Sequence, residues 1–312
     1  MKYKQKNFAS AVIYVCNAEK AIEVFIKAIY GVLGENFEKF EIICVNDASK
    51  DNSKEALKKI TSGFENCMVS VLNMSYYQGL EASMRAGVDL AIGDYVFEFD
   101  SIKIDYDPNL IMQVYERSLQ GFDIVSCGKG TERSTSKLFY FLYNRFSGSQ
   151  YMIRSETFRV LSRRGINRVN SMSINFPYRK AMYANCGLKM DYVNYKSDGN
   201  SLIETQTLKN PHDTALSALI LFSNIAYRVT MFFAFFAMAA TVSIAVYTLV
   251  SYIRGLDIEG WFTTMLFLSG AFFALFLILA IVIKYLSLIL NLVFTKQKYV
   301  IESIDKVGEW NN

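Results

Sequence analysis

The chain has 312 residues, a formal net charge of +4 and one histidine. So slight a basic excess gives no argument for nucleic acid, and a single histidine argues against a His-based triad or a His-rich zinc site. The hydrophobic fraction of 52% is high for a soluble protein and unevenly spread, with residues 1–210 reading as an ordinary globular domain.

Taken in order, Ala11 to Cys16 is a continuous apolar strand ending at Asn17, and Lys20 to Val32 follows with helical periodicity. Phe40 to Val45 predicts a second buried strand. Its end runs into Asn46-Asp47-Ala48-Ser49, whose short polar side chains suit a turn and a helix N-cap, with the helix continuing through Lys59. Met68 to Leu72 is a third strand, and Gly79 to Ala91 a helix with Ala82, Ala86 and Leu90 on one face. Tyr95 to Phe99 is a fourth strand, opening into a loop with three carboxylates, Asp100, Asp105 and Asp107. This βαβαβαβ alternation of near-continuous apolar strands predicts an α/β fold with a mostly parallel, Rossmann-like sheet covered on both faces. Beyond it, Leu110 to Gln120 reads as a helix, Asp123 to Cys127 as a strand, Lys137 to Phe146 and Ser155 to Arg163 as helices, and Leu188 to Tyr195 as a strand.

After a polar stretch at 196–210, the region 211–228 has an apolar face suited to a helix lying in a membrane interface, or to a buried core helix. Val229 to Ile253 and Gly260 to Ile283 then hold no charged residue. Each exceeds the roughly 20 residues a helix needs to cross the hydrocarbon core. They predict two transmembrane helices rather than a core hairpin. Lys209, Arg228, Lys284, Lys296 and Lys298 flank the pair, whereas the short loop between carries one cation and two anions, so both outer ends are expected to be cytoplasmic. The domain reading is therefore 1–210 globular, 211–228 interfacial, and 229–312 two spans plus a polar cytoplasmic tail. The five cysteines lack any CxxC pair and read as core thiols.

In a parallel sheet the ends of these strands open onto one edge, where such folds bind ligands. There Asn17, Glu19, Asn46, Asp47 and Asp100 can converge. No GxGxxG follows the first strand and no GxxxxGK[ST] occurs, so phosphates need a cation: a metal held by carboxylates, or a basic side chain such as Lys129 or Arg133. A solvated acidic loop and ordinary solvated lysines are the simpler alternatives.

Ser10-Ala11-Val12-Ile13-Tyr14-Val15-Cys16-Asn17-Ala18-Glu19 is similar to the S-V-V-I-P-V-Y-N-E-E opening of family 2 glycosyltransferases with the GT-A fold. Glu41 to Ser53 resembles their E-I-I-x-V-D-D-G-S-x-D-x-S/T. Gly79, Glu81-Ala82 and Ala86-Gly87, followed by Gly93-Asp94, resemble G-x-E-A-x-x-x-A-G and the later G-D. The domain with two C-terminal spans looks like the polyisoprenyl-phosphate branch, and Lys196-x-x-Gly199-x-Ser201 resembles its R-x-x-G-x-S-K loop.

The resemblance implies a nucleotide-sugar donor, with Tyr14, Cys16, Ala18 and Val45 lining the base and ribose and Asp47 bonding the base. Glu19, Ser101 and Lys196 are further donor-binding candidates. Asp100 would hold Mg²⁺ or Mn²⁺, Lys129 falls where the family has a cation for the phosphates, and polyprenyl phosphate would be the acceptor. The family's D-x-D is here Asp100-Ser101-Ile102, so a second metal ligand would have to come from Asp105 or Asp107. A different membrane-associated acceptor, or a non-catalytic subunit partnering an active transferase, are the alternative functions. Self-association of the spans is a further expectation.

Overall fold

The computed structural model describes residues 3–196 apart from 62, 65–66, 131–139, 142, 146–149 and 173–177, then scattered positions from 236 to 289, then 299–307. Four strands and three helices alternate first: β1 (Ala9–Val15), α1 (Ile22–Asn36), β2 (Phe40–Asn46), α2 (Ser53–Thr61), β3 (Met68–Met74), α3 (Leu80–Leu90) and β4 (Tyr95–Phe99). There follow α4 (Leu110–Leu119), β5 (Ile124–Gly128), β6 (Phe158–Ser162), α5 (Arg163–Ser171), α6 (Arg179–Ala184), β7 (Met190–Asn194) and β8 (Ile301–Val307).

These strands make one eight-stranded sheet in the order β7-β5-β6-β4-β1-β2-β3-β8. β1 pairs in parallel with β2 and β4, β2 with β3, and β5 with β7, while β6 and β8 run against their neighbours. Every residue of β1 and β2 is buried, as strands covered on both faces must be. One face packs Phe25, Ile26 and Ile29 of α1 and Val114 of α4 against the sheet, and the other packs Met84 and Ala86 of α3 and Ile166 of α5. Gly87 brings α3 close to the sheet. A Cβ there would lie 2.4 Å from Val12 Cγ1 and 2.6 Å from Val45 Cγ2.

Two segments differ from the sequence reading. Ser155 to Arg163, expected to be helical, contains β6, which is inserted between β4 and β5. Phe158 and Val160 enter one core and Leu161 the other, the period of a strand rather than a helix. Helix α5 starts only afterwards, where Ser162 Oγ accepts a bond from Gly165 N at 3.0 Å. Within the polar tail, residues Ile301–Val307 form the antiparallel edge strand beside β3. Strands from either side of residues 195–300 thus belong to the same sheet.

The interface segment 211–228, Arg133 and the loop following Lys196 lie outside the described residues, as do most of 229–253, half of 260–283 and part of 137–146. The described positions between 236 and 289 are helical. No helix among the described residues is long and apolar enough to cross a membrane.

Candidate active site at the carboxyl edge of the sheet

The loops after β1 and β2 are laced together. Asn17 Oδ1 accepts from Lys50 N at 2.7 Å, Ala18 N donates to Ser53 Oγ at 2.9 Å, and Glu19 N donates to Asp51 Oδ2 at 3.1 Å. The Glu19 carboxylate accepts in turn from the backbone and side-chain nitrogens of Asn52. Asp47 is fully buried. Its oxygens accept from Gln78 N and Gly79 N, both at 2.8 Å, and from Tyr14 Oη at 2.9 Å. Asp47 therefore ties the start of α3 to the β2 end, and its three donors occupy the carboxylate that the resemblance assigns to a base. Burial, then the Asp47 charge, pushes the Tyr14 phenol far above its ordinary range, keeping it a donor. Val45 is buried on the α3 face, Cys16 and Ser101 are half-buried, and Lys196 is exposed.

Beside these loops lies a nearly dry ionic cluster. Alternation along β4 sends Glu98 and Asp100 to the same side, because side chains two apart in an extended chain share a face. Arg159 lies opposite Glu98 in the β4–β6 ladder. Its three nitrogens donate to Glu98 at 2.7 Å, Asp100 at 2.6 Å and Glu156 at 2.9 Å. Arg179, the first residue of α6, donates to Glu98 at 2.9 Å, Asp100 at 2.8 Å and Glu81 at 2.9 Å. Tyr183, one turn further on, donates to Glu98 at 2.8 Å. Lys180 Nζ stands 4.0 Å from Glu156.

The cluster is buried: Glu98 is 0% exposed, Arg159 1% and Arg179 4%. Burial by itself would raise the Asp100 carboxyl, but the charges of Arg159 and then Arg179 outweigh it and hold the group well below the usual carboxylate range.

A second ionic group stands at the same edge. Asp105 is buried and accepts from Tyr195 Oη at 2.7 Å. Its other oxygen lies 2.5 Å from Lys129 Nζ and 3.5 Å from Lys103 Nζ. Both lysines keep about a third of their side chains exposed. Asp105 is lowered too: burial opposes this, but the bonds from Lys129 and Tyr195 and the two lysine charges prevail. Asp107 is exposed and accepts from Asn109 N at 2.9 Å, in the turn just before α4.

The three carboxylates considered as metal ligands are thus held apart. Asp100 faces two guanidinium groups, Asp105 two ammonium groups, and Asp107 the backbone N–H of Asn109. Among the described residues no group of three His, Cys, Asp or Glu side chains is arranged to hold a metal ion. Each Asp100 oxygen already has an arginine nitrogen within 2.8 Å. A divalent ion bound there would meet those charges at about 4 Å, a repulsion of roughly 4 kcal/mol for each pair of unit charges at an effective dielectric near 20. The residues present do not fit a divalent cation in this arrangement.

Sequence reasoning missed Arg159, Arg179 and Glu98. The signal was Glu98 itself, an acidic residue inside an otherwise apolar strand, since a buried carboxylate requires cationic partners. Which cations would answer it was not readable, because Arg179 is 81 residues away.

The fold is similar to that of solved glycosyltransferases. The mannosyltransferase PcManGT from Pyrobaculum calidifontis, in complex with GDP-Man and Mn²⁺, superimposes with a TM-score of 0.50 at 13% identity, covering 86% of both chains. Glucosyl-3-phosphoglycerate synthase from Mycobacterium tuberculosis, with Mn²⁺, UDP and phosphoglyceric acid, gives 0.50 at 16% identity over 69% of this chain and 76% of that one. The architecture is GT-A-like.

Residues 10–185 match Glycosyl transferase family 2, and the chain belongs to that family as a glycosyltransferase. An uncharacterized glycosyltransferase of Synechocystis sp., sll0501, is 26% identical over 84% of this chain and 85% of its own length. The prophage bactoprenol glucosyl transferase homolog of Escherichia coli is 26% identical over 60% of this chain and 62% of that protein. Undecaprenyl-phosphate 4-deoxy-4-formamido-L-arabinose transferase of Pectobacterium carotovorum is 32% identical over 47% and 43%.

Proposed function

We propose that this glycosyltransferase moves a sugar from a nucleotide-diphosphate donor to polyprenyl phosphate at the cytoplasmic face of a membrane. The observation that carries the reading is the similarity to proteins named as bactoprenol and undecaprenyl-phosphate sugar transferases. A phosphate acceptor also suits the chemistry at hand. It is already ionised near neutral pH and attacks the anomeric carbon without a general base. The bond from that carbon to the diphosphate oxygen breaks, its electron pair leaves with the nucleoside diphosphate, and the configuration inverts. Charge then builds on the leaving phosphate, where a cation such as Lys129 is useful.

Two features support the membrane setting. The sheet holds both β7 and β8, so the stretch between them starts and ends on the same side and crosses a bilayer an even number of times, in keeping with two charge-free runs. Among the described positions, the apolar side chains of Phe272, Leu275, Leu279, Val282, Leu286 and Ile289 are half exposed or more at helical spacing. Lipid tolerates such a stripe better than water does.

The test is to incubate the full chain in lipid nanodiscs with polyprenyl phosphate and a panel of UDP- and GDP-sugars, then analyse extracted lipid by mass spectrometry. A glycosyl-phosphoryl-polyprenol, with stoichiometric nucleoside diphosphate, is the expected outcome. Nucleoside diphosphate released only when a glycan acceptor is supplied would replace the lipid reading.

A further inference from the structure

We propose that this chain handles its donor diphosphate without a divalent metal: Asp100 is a structural anchor for Arg159 and Arg179, and Lys103 with Lys129 forms the cationic clamp for the phosphates. The inference rests on the nucleotide-sugar reading above and deepens it.

The residue comparison and the geometry point the same way. Where the D-x-D pattern has its second carboxylate this chain has Ile102, 3% exposed and packed in the core, so its side chain contributes no ligand. The next residue is Lys103. Ile102 removes the second negative charge of the pattern, and Lys103 beside it places a positive one in the loop. Asp100 is saturated by guanidinium groups that stay attached to Glu81, Glu98 and Glu156 as well. Those arginines are too buried to reach a ligand at the edge.

Lys103 and Lys129 are different. They converge on one oxygen of Asp105, leave the group with a net charge of +1, and remain partly open to solvent. Tyr195 holds the other Asp105 oxygen, which fixes the carboxylate between the lysines. Lys129 follows the last residue of β5, and Lys103 lies three residues past Asp100, at the edge where a diphosphate would lie. Two ammonium groups on a buried carboxylate can turn part of their hydrogen-bonding capacity toward phosphate oxygens, as point charges do.

The experiment uses the full chain in nanodiscs, with UDP and GDP as probes and no acceptor lipid. Nucleotide affinity is measured by calorimetry in EDTA and again in Mn²⁺, and free Mn²⁺ is followed by electron paramagnetic resonance. Affinity should change by less than about twofold between EDTA and Mn²⁺, and Mn²⁺ should show no stoichiometric protein site. Lys103→Gln and Lys129→Gln should each weaken nucleotide binding about tenfold in EDTA, the cost of one charge-assisted hydrogen bond. Asp100→Asn should leave Mn²⁺ binding unchanged. The proposal is overturned if nucleotide binding collapses in EDTA, if Mn²⁺ binds one-to-one and Asp100→Asn abolishes it, or if neither nucleotide binds under either condition. Tight nucleotide binding in EDTA, with no glycosylated lipid formed in the separate assay with UDP- and GDP-sugars and polyprenyl phosphate, would instead count against the acceptor reading and leave the clamp standing.

Discussion

Ala48 sits at φ +47°, in the left-handed region that an L residue with a Cβ enters at a cost of about 1–2 kcal/mol. It lies where the related motif has glycine. Ala48→Gly should therefore stabilise the domain by about 1 kcal/mol, less the added entropy of an unfolded glycine, and raise the thermal midpoint. Glu98 presents the opposite case. It is the carboxylate shared by Arg159, Arg179 and Tyr183, and its removal leaves two guanidinium groups buried and short of an acceptor. Glu98→Ala should cost about 3–5 kcal/mol in chemical denaturation. Glu23→Ala, which breaks the exposed Glu23–Lys27 pair, should leave the midpoint where it was.

β8 is the element on which the outer edge of the sheet depends. It covers β3 along its length, and Asn73 reaches across to Ser303 Oγ at 3.0 Å while Gln78 grips the backbone of Val300 on both sides. Deleting residues 299–312 should expose the β3 edge, lower the thermal midpoint and promote aggregation, read by light scattering during heating.

The sequence made β1 to β4 and their helices legible because parallel strands covered on both faces are unbroken apolar runs. It hid β8, whose Ile301, Ile304 and Val307 recur every third residue and whose partner is about 230 residues away. β6 was hidden for another reason. Arg159 and the following Arg163 and Arg164 give Phe158–Ser162 an amphipathic look, and it is the carboxylates of Glu98, Asp100 and Glu156 around it that make a central arginine acceptable in a strand. At the site, Asp100 and Lys129 were legible as chemistry-bearing residues, but their partners Arg159, Arg179 and Asp105 come from β6, α6 and the loop after β4.

For the whole domain, the ionic groups set a pH window. Asp100, Asp105 and Asp123 are all held below the ordinary carboxylate value of about 3.9. Their stabilisation is complete above that value and is lost as pH falls below it, because the unfolded chain then takes up protons that the folded one resists. At the other end, burial and then Glu98 raise Tyr183, and burial and then Asp47 raise Tyr14. Above about pH 10 the unfolded phenols ionise first and stability falls again. Denaturation midpoints across pH should show a plateau from roughly 5 to 9 with losses on both sides.

The return of the chain to β3 also bears on the order of events at the ribosome. β1 to β7 emerge first, yet the sheet's outer edge stays open while about a hundred further, largely apolar residues are made, since β8 comes last. The β3 edge therefore stays unpaired until residues 301–307 have been made. On the membrane reading proposed above, completion of the sheet would follow insertion of that segment, and a chain stalled before residue 301 would carry an open sheet edge.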